Sequence, residues 1–173
     1  MIVIVGHGPS IVGKRLGSWL DTQTVIRLKK AEKPNVTDWG SRTDAVCATS
    51  HIYRPDKGMF WWFPKRGDHK DEKDMRVADY RRWRKYFADF SISKGPSTGL
   101  SAIFCAVEFE NPKQIGLAGF DNLLYPDEKG WSKWWLPRHK HHWDADSPAE
   151  HRAAMALGVE LIDVTRIYGT SQA

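Results

Sequence analysis

With 173 residues, 41% of them hydrophobic, the chain has the length and composition of a single domain, 1–173, with a sizeable core. No apolar run reaches transmembrane length and no secretory leader with a charged first segment is seen, which argues against a helical membrane protein and predicts a cytoplasmic one. A net charge of +5 and nine tryptophans fit either a solvated basic surface or the binding of polyanions or sugars.

The chain opens on Ile2-Val3-Ile4-Val5, four β-formers that read as a central parallel strand buried on both faces. Gly6, His7, Gly8, Pro9 and Ser10 break it, and a helix is expected from Val12 to Leu20. Strand, glycine turn and helix together leave backbone N–H groups facing a bound phosphate, and Gly6 and Gly8 would let a ligand approach the backbone. The alternative is the first strand and tight turn of any α/β domain. The full dinucleotide fingerprint and the Walker loop are both absent.

Thr24 to Leu28 reads as a second strand, with Arg27 near its carboxyl end, where ligand residues of open parallel sheets gather. Ala45 to Ala48 reads as a third. The two cysteines, Cys47 and Cys105, lie in apolar segments and not in a C-x-x-C pair, the pattern of buried free thiols. Residues 51–75 are expected to form an irregular insertion, with an aromatic knot at Met59 to Phe63 and a charge run at Lys65 to Asp74. It reads as an exposed loop leading into a helix, or as a rim over a pocket.

Arg76 to Phe87 follows with Val77, Tyr80, Trp83 and Phe87 at helical spacing and a basic opposite face. Phe90 to Ile92 reads as a short strand. The turn Lys94 to Gly99 opens a helix that runs through Phe109. Ser97 or Thr98 serves there as N-cap or, with Gly99, as part of a second anion site. Gln114 to Asp121 is the next strand and its exit turn. Residues 122–143 hold four tryptophans and His139, His141 and His142.

Ser147-Pro148-Ala149-Glu150 has the form of a capping box with proline at the first helical position, and Gly158 closes that helix before a last strand, Val159 to Val164. The alternation predicts an α/β fold: an open, mostly parallel Rossmann-like sheet with helices on both faces. A plain surface loop is the simplest reading of the histidine cluster. A zinc site from His139, His141 and Asp144 or Asp146 is a lesser one, because no helical i, i+4 pair is present.

Three segments together resemble the sialylmotifs of the eukaryotic-type sialyltransferases, glycosyltransferase family 29. Residues 3–44 resemble the large motif in Val-Gly at the end of the first strand, Asp-x-x-x-Val-Ile-Arg at 21–27 and Gly-Ser-Arg-Thr at 40–43. Residues 96–120 resemble the small motif, with Pro-Ser-Thr-Gly intact, and His142 with Glu150 resembles the very small motif. His7 stands where the family has asparagine, Lys29 replaces a second asparagine, the His-to-Glu spacing is longer, and Cys47 and Cys105 do not match the family's disulfide positions.

The resemblance implies a small bacterial- or phage-type relative with a GT-A-like variant of the fold. It implies an inverting transfer of a sugar, sialic acid or a related one, from a CMP-activated donor to an acceptor hydroxyl. A glycan, a lipid-linked sugar or, in a phage, a modified DNA base could accept it, and the basic helix at 76–85 with the charged loop at 65–74 keeps a nucleic-acid acceptor open. His142 is the implied base, with His141 as its rival, and another of these histidines, His139 or His141, would meet the phosphate. Gly6, His7, Gly8, Pro9, Ser10, Ser97, Thr98 and Gly99 would line the nucleotide, and Arg27 would assist. No cofactor is expected beyond the donor, and no metal is needed where the protein itself stabilises the leaving phosphate. The competing readings are a non-catalytic nucleotide- or nucleic-acid-binding module and a sugar-nucleotide hydrolase.

Overall fold

A computed structural model of the chain describes residues 1–28, 36–49, 58–64, 72–92, 95–125 and 143–169. Seven strands form one sheet: β1 (Ile2–Val5), β2 (Thr24–Leu28), β3 (Ala45–Ala48), β4 (Met59–Trp62), β5 (Met75–Val77), β6 (Gln114–Ala118) and β7 (Glu160–Asp163). Their order is β5-β4-β3-β2-β1-β6-β7, and every strand pair is parallel. The chain builds outward from β1 to β5, then returns to the other side of β1, so β1 and β6 flank the switch point. This is the expected Rossmann-like α/β arrangement.

Among the described residues the helices are α1 (Gly17–Leu20), α2 (Val36–Trp39), α3 (Tyr80–Asp89), α4 (Thr98–Glu110), α5 (Asp121–Leu124), α6 (Trp143–Met155) and α7 (Val164–Tyr168). Side-chain alternation along the strands sorts them into two layers. Ile4, Ile26, Cys47, Trp61 and Leu117 pack with α3, α4 and α6. Val3, Val5, Val25 and Ala118 pack with α1, α2 and α7 on the opposite face. No helix among the described residues is long and apolar enough to cross a membrane.

Strands β1, β2, β3, β6 and β7 lie where the sequence places them, and Ser97 caps α4, its Oγ accepting from Leu100 N–H at 3.1 Å. Elsewhere the expectations need correction. The helix expected over residues 12–20 survives only as α1. Pro9–Ile11 is a 3-10 turn, and Gly13 and Arg15 take left-handed φ values of 75° and 54°, which an α-helix cannot include. Their N–H groups go instead to the Asp38 carboxylate at 2.9 and 2.7 Å.

The insertion expected at 51–75 contains two strands of the main sheet, β4 and β5. Phe60 and Trp61 are buried on opposite faces of β4, which is why the run lacks alternation. Arg76 and Val77 belong to β5, so α3 starts only at Tyr80, after Asp79 caps it by accepting from Arg81 and Arg82 N–H. Residues 90–92 are a helix-terminal turn and not a strand: Phe90 and Ile92 N–H both donate to the Phe87 carbonyl. Cys47 and Cys105 are buried thiols, with Sγ atoms 4.0 Å apart, and burial pushes the Cys105 thiol up from its ordinary pKa.

Candidate functional site

The carboxyl ends of β1 and β6 meet at one corner of the sheet, the place where open α/β sheets leave a crevice. Gly6 N–H donates to the Ala118 carbonyl at 2.8 Å, and Gly8 N–H to the Gly119 carbonyl at 2.9 Å. Ser10 N–H donates to Asp121 Oδ2 at 3.1 Å. The glycine loop therefore spends these three donors on the neighbouring strand exit. A Cβ on Gly6 would lie 2.5 Å from the Gly119 carbonyl oxygen, and one on Gly8 would lie 2.7 Å from Asp121 Oδ2.

The glycines are thus required by the protein's own packing, whatever else approaches the backbone. The Asp121 carboxylate accepts from a backbone N–H of this turn. Sequence reasoning passed it over as part of an exit turn. Its only local signal is an acidic residue directly after Gly119-Phe120.

The start of α4 adjoins the same corner. A Cβ on Gly99 would lie 2.9 Å from the Phe120 ring. Ser97 N–H donates to Glu150 Oε1 at 2.5 Å. This overturns the capping-box reading of residues 147–150. α6 begins at Trp143, Pro148 lies inside it, and the Glu150 carboxylate, 8% exposed, serves α4 instead of its own helix. Among the described residues the Thr98 and Gly99 N–H groups have no hydrogen-bond partner.

Arg27 lies beside Val5 in the β1–β2 register and is 2% exposed. Its Nε donates to Thr43 Oγ1 at 2.9 Å and to the Arg42 carbonyl, and its Nη2 to the carbonyls of Trp39 and Gly40 at 2.8 and 3.2 Å. Arg27 is accordingly a clamp on the 39–43 loop, made through neutral oxygens. Desolvation lowers its pKa, against a weaker opposing pull from the Asp21 charge.

Asp21 receives Ser41 N–H, Ser41 Oγ–H and Arg42 N–H from the same loop. Burial raises its pKa, but those hydrogen bonds outweigh burial and hold it below the usual carboxylate value. Asp44 behaves likewise: burial raises it, while the Arg42 guanidinium and the Val25 N–H pull it lower. His7 is half-buried, its ring centroid 6.5 Å from that of Trp39 on the same loop.

The structure therefore brings Gly6, His7, Gly8, Pro9 and Ser10 to one corner with Ser97, Thr98 and Gly99, and sets Arg27 beneath the adjoining loop. His139, His141 and His142 lie outside the described residues. Among the described residues no cluster of three His, Cys, Asp or Glu side chains is placed to hold a metal ion. No protein-family model matches the chain, and no curated protein matches it.

Proposed function

We propose that the chain is a metal-independent inverting glycosyltransferase of the sialyltransferase type, moving a sugar from a CMP-activated donor to an acceptor hydroxyl. The observation that supports this reading is the convergence of the three motif-like segments. Large-motif Gly8 is hydrogen-bonded to small-motif Gly119, and small-motif Ser97 is hydrogen-bonded to Glu150 of the very small motif. Segments more than 100 residues apart in sequence thus share one corner at the switch point of a parallel sheet.

In this reading the donor phosphate meets the Thr98 and Gly99 N–H groups at the positive end of α4, a 13-residue helix, with His7 at the opposite wall. The acceptor proton passes to His142, with His141 as the rival base. A base of this kind contributes roughly 10²–10⁴-fold. Glu150 ties α6 to the α4 terminus and so positions the chain that leads out of the histidine segment.

A thermal-shift panel of CMP, CMP-sialic acid, UDP, GDP, ADP and NAD tests the donor. A nucleotide at one hundred times its dissociation constant stabilises by about 2.7 kcal/mol, a rise of roughly 5–10 °C for a domain of this size. The expected result is a rise with CMP and CMP-sialic acid alone. His142→Ala should then abolish sugar transfer and leave the CMP shift in place. A rise only with UDP or GDP overturns the donor assignment, and no rise with any nucleotide overturns the transferase reading in favour of a binding module.

A further inference from the structure

The outward face of α3 carries Arg81, Arg82, Arg84 and Lys85, all exposed, within a helix that begins at Tyr80 and ends at Asp89. At a rise of about 1.5 Å per residue these four cations occupy roughly 6 Å of helix length. We infer that this face binds the phosphodiester backbone of a duplex nucleic acid, without reading its sequence. The inference does not rest on the donor reading.

Three features carry it. First, three nearby carboxylates are engaged elsewhere. Asp79 caps α3, Glu108 receives Trp83 Nε1 and Asp79 N–H, and Glu110 pairs with Arg76 at 2.6 Å. Among the described residues Arg82, Arg84 and Lys85 form no ion pair, including with Asp89, one turn beyond Lys85. Second, the helix is rigidly mounted. Trp83 and Phe87 are buried, Trp83 stacks on Phe104 with centroids 4.5 Å apart, and the Tyr86 hydroxyl donates to the Ala153 carbonyl. The cations are thus displayed from a fixed surface, so binding costs little ordering of the backbone.

Third, the chemistry of the face selects among polyanions. Three of the four cations are arginine, whose planar fork suits phosphate oxygens. The exposed positions carry no apolar residue larger than Ala88, so the face lacks what an interfacial helix would insert into a lipid surface. Its exposed positions also carry no aromatic ring on which unpaired bases could stack, Tyr80, Tyr86 and Phe90 being partly buried. Duplex backbone, which needs neither, is what remains.

The test is fluorescence anisotropy of a labelled DNA duplex of arbitrary sequence, titrated with the intact chain at several salt concentrations. The three cations outside ion pairs, Arg82, Arg84 and Lys85, give a log–log salt slope of about −2.7, a loss of roughly 40-fold in affinity between about 50 and 200 mM salt. The Arg84→Gln/Lys85→Gln double variant, at exposed positions, should keep its thermal midpoint. It should cut that loss to roughly threefold, because about two counterions fewer are released. Three results overturn the inference: no duplex binding at the lower salt, an unchanged slope in the double variant, or binding to phosphatidylserine vesicles in preference to the duplex.

Discussion

On one face of the sheet Phe104 is wholly buried among Trp83, Tyr86, Phe87 and Phe63, with ring centroids 4.5–6.4 Å apart, and the helices around it run to 10 and 13 residues. On the other face α1, α2 and α7 have only four or five residues each. Helices that short have no independent stability in water. They are held instead by side chains that reach backbone groups: Asp38 to Gly13 and Arg15, Asp21 to Ser41 and Arg42, Arg27 to the 39–43 loop, and Asp163 to Thr165 and Arg166. The difference teaches that one layer is built chiefly by area and the other by a smaller apolar cluster joined to hydrogen-bonded partners. The candidate site borders both, because Gly99 and Ser97 belong to α4 while His7 and Arg27 belong to the hydrogen-bonded side.

The comparison can be broken hardest at Phe104. Phe104→Ala removes the ring on which α3 is stacked, and denaturant unfolding should show a loss of about 3–5 kcal/mol. Arg27→Leu should cost about 3 kcal/mol by the same measurement, since it leaves buried carbonyls of the 39–43 loop without a donor. On the proposed function, the CMP-induced thermal shift should weaken with it, through displacement of Trp39 at the end of α2 and the 40–43 loop. Asp38→Ala should cost about 1–2 kcal/mol, and hydrogen exchange should quicken at Gly13 and Arg15 while α4 amides stay protected.

The smallest effect separates the faces by pH. The folded-state pKa values of Asp21 and Asp44 are depressed, so their contribution is present above the unfolded carboxylate value of about 3.9 and is lost as pH falls through the folded values. Tyr86 is shifted the other way, upward, by burial. Its contribution is present below the unfolded tyrosine value of about 10 and is lost as pH rises through the folded one. Stability curves against pH should therefore show Asp44→Asn flattening the acid limb and Tyr86→Phe flattening the alkaline limb. Each variant altering both limbs equally would remove the distinction.

What was legible from residues alone was whatever a local pattern carries. Five apolar runs declared β1, β2, β3, β6 and β7, and Ser97 declared the start of α4. The glycine loop at 6–8 and the Pro-Ser-Thr-Gly turn at 96–99 were legible as features of interest, but their occupants were not. Gly6 and Gly8 pack against Gly119 and Asp121, more than 100 residues away, and no spacing rule reports such a neighbour. Glu150 matched a capping box three residues after Ser147, yet its carboxylate found a donor in another helix. Met59 to Trp62 looked like an aromatic knot because a strand buried on both faces has no alternation to reveal it.

The sequence by itself thus determined the α/β class, the central parallel strands and the basic face of the helix after β5, because backbone preference and hydrophobic periodicity act within a few residues. Only the tertiary structure decided which groups the glycine loop faces, which carboxylate serves which backbone N–H, and that Arg27 Nε and Nη2 are spent on a loop. Those outcomes depend on buried polar groups finding partners across the fold, and a desolvated donor takes the nearest acceptor in space, whatever its distance along the chain.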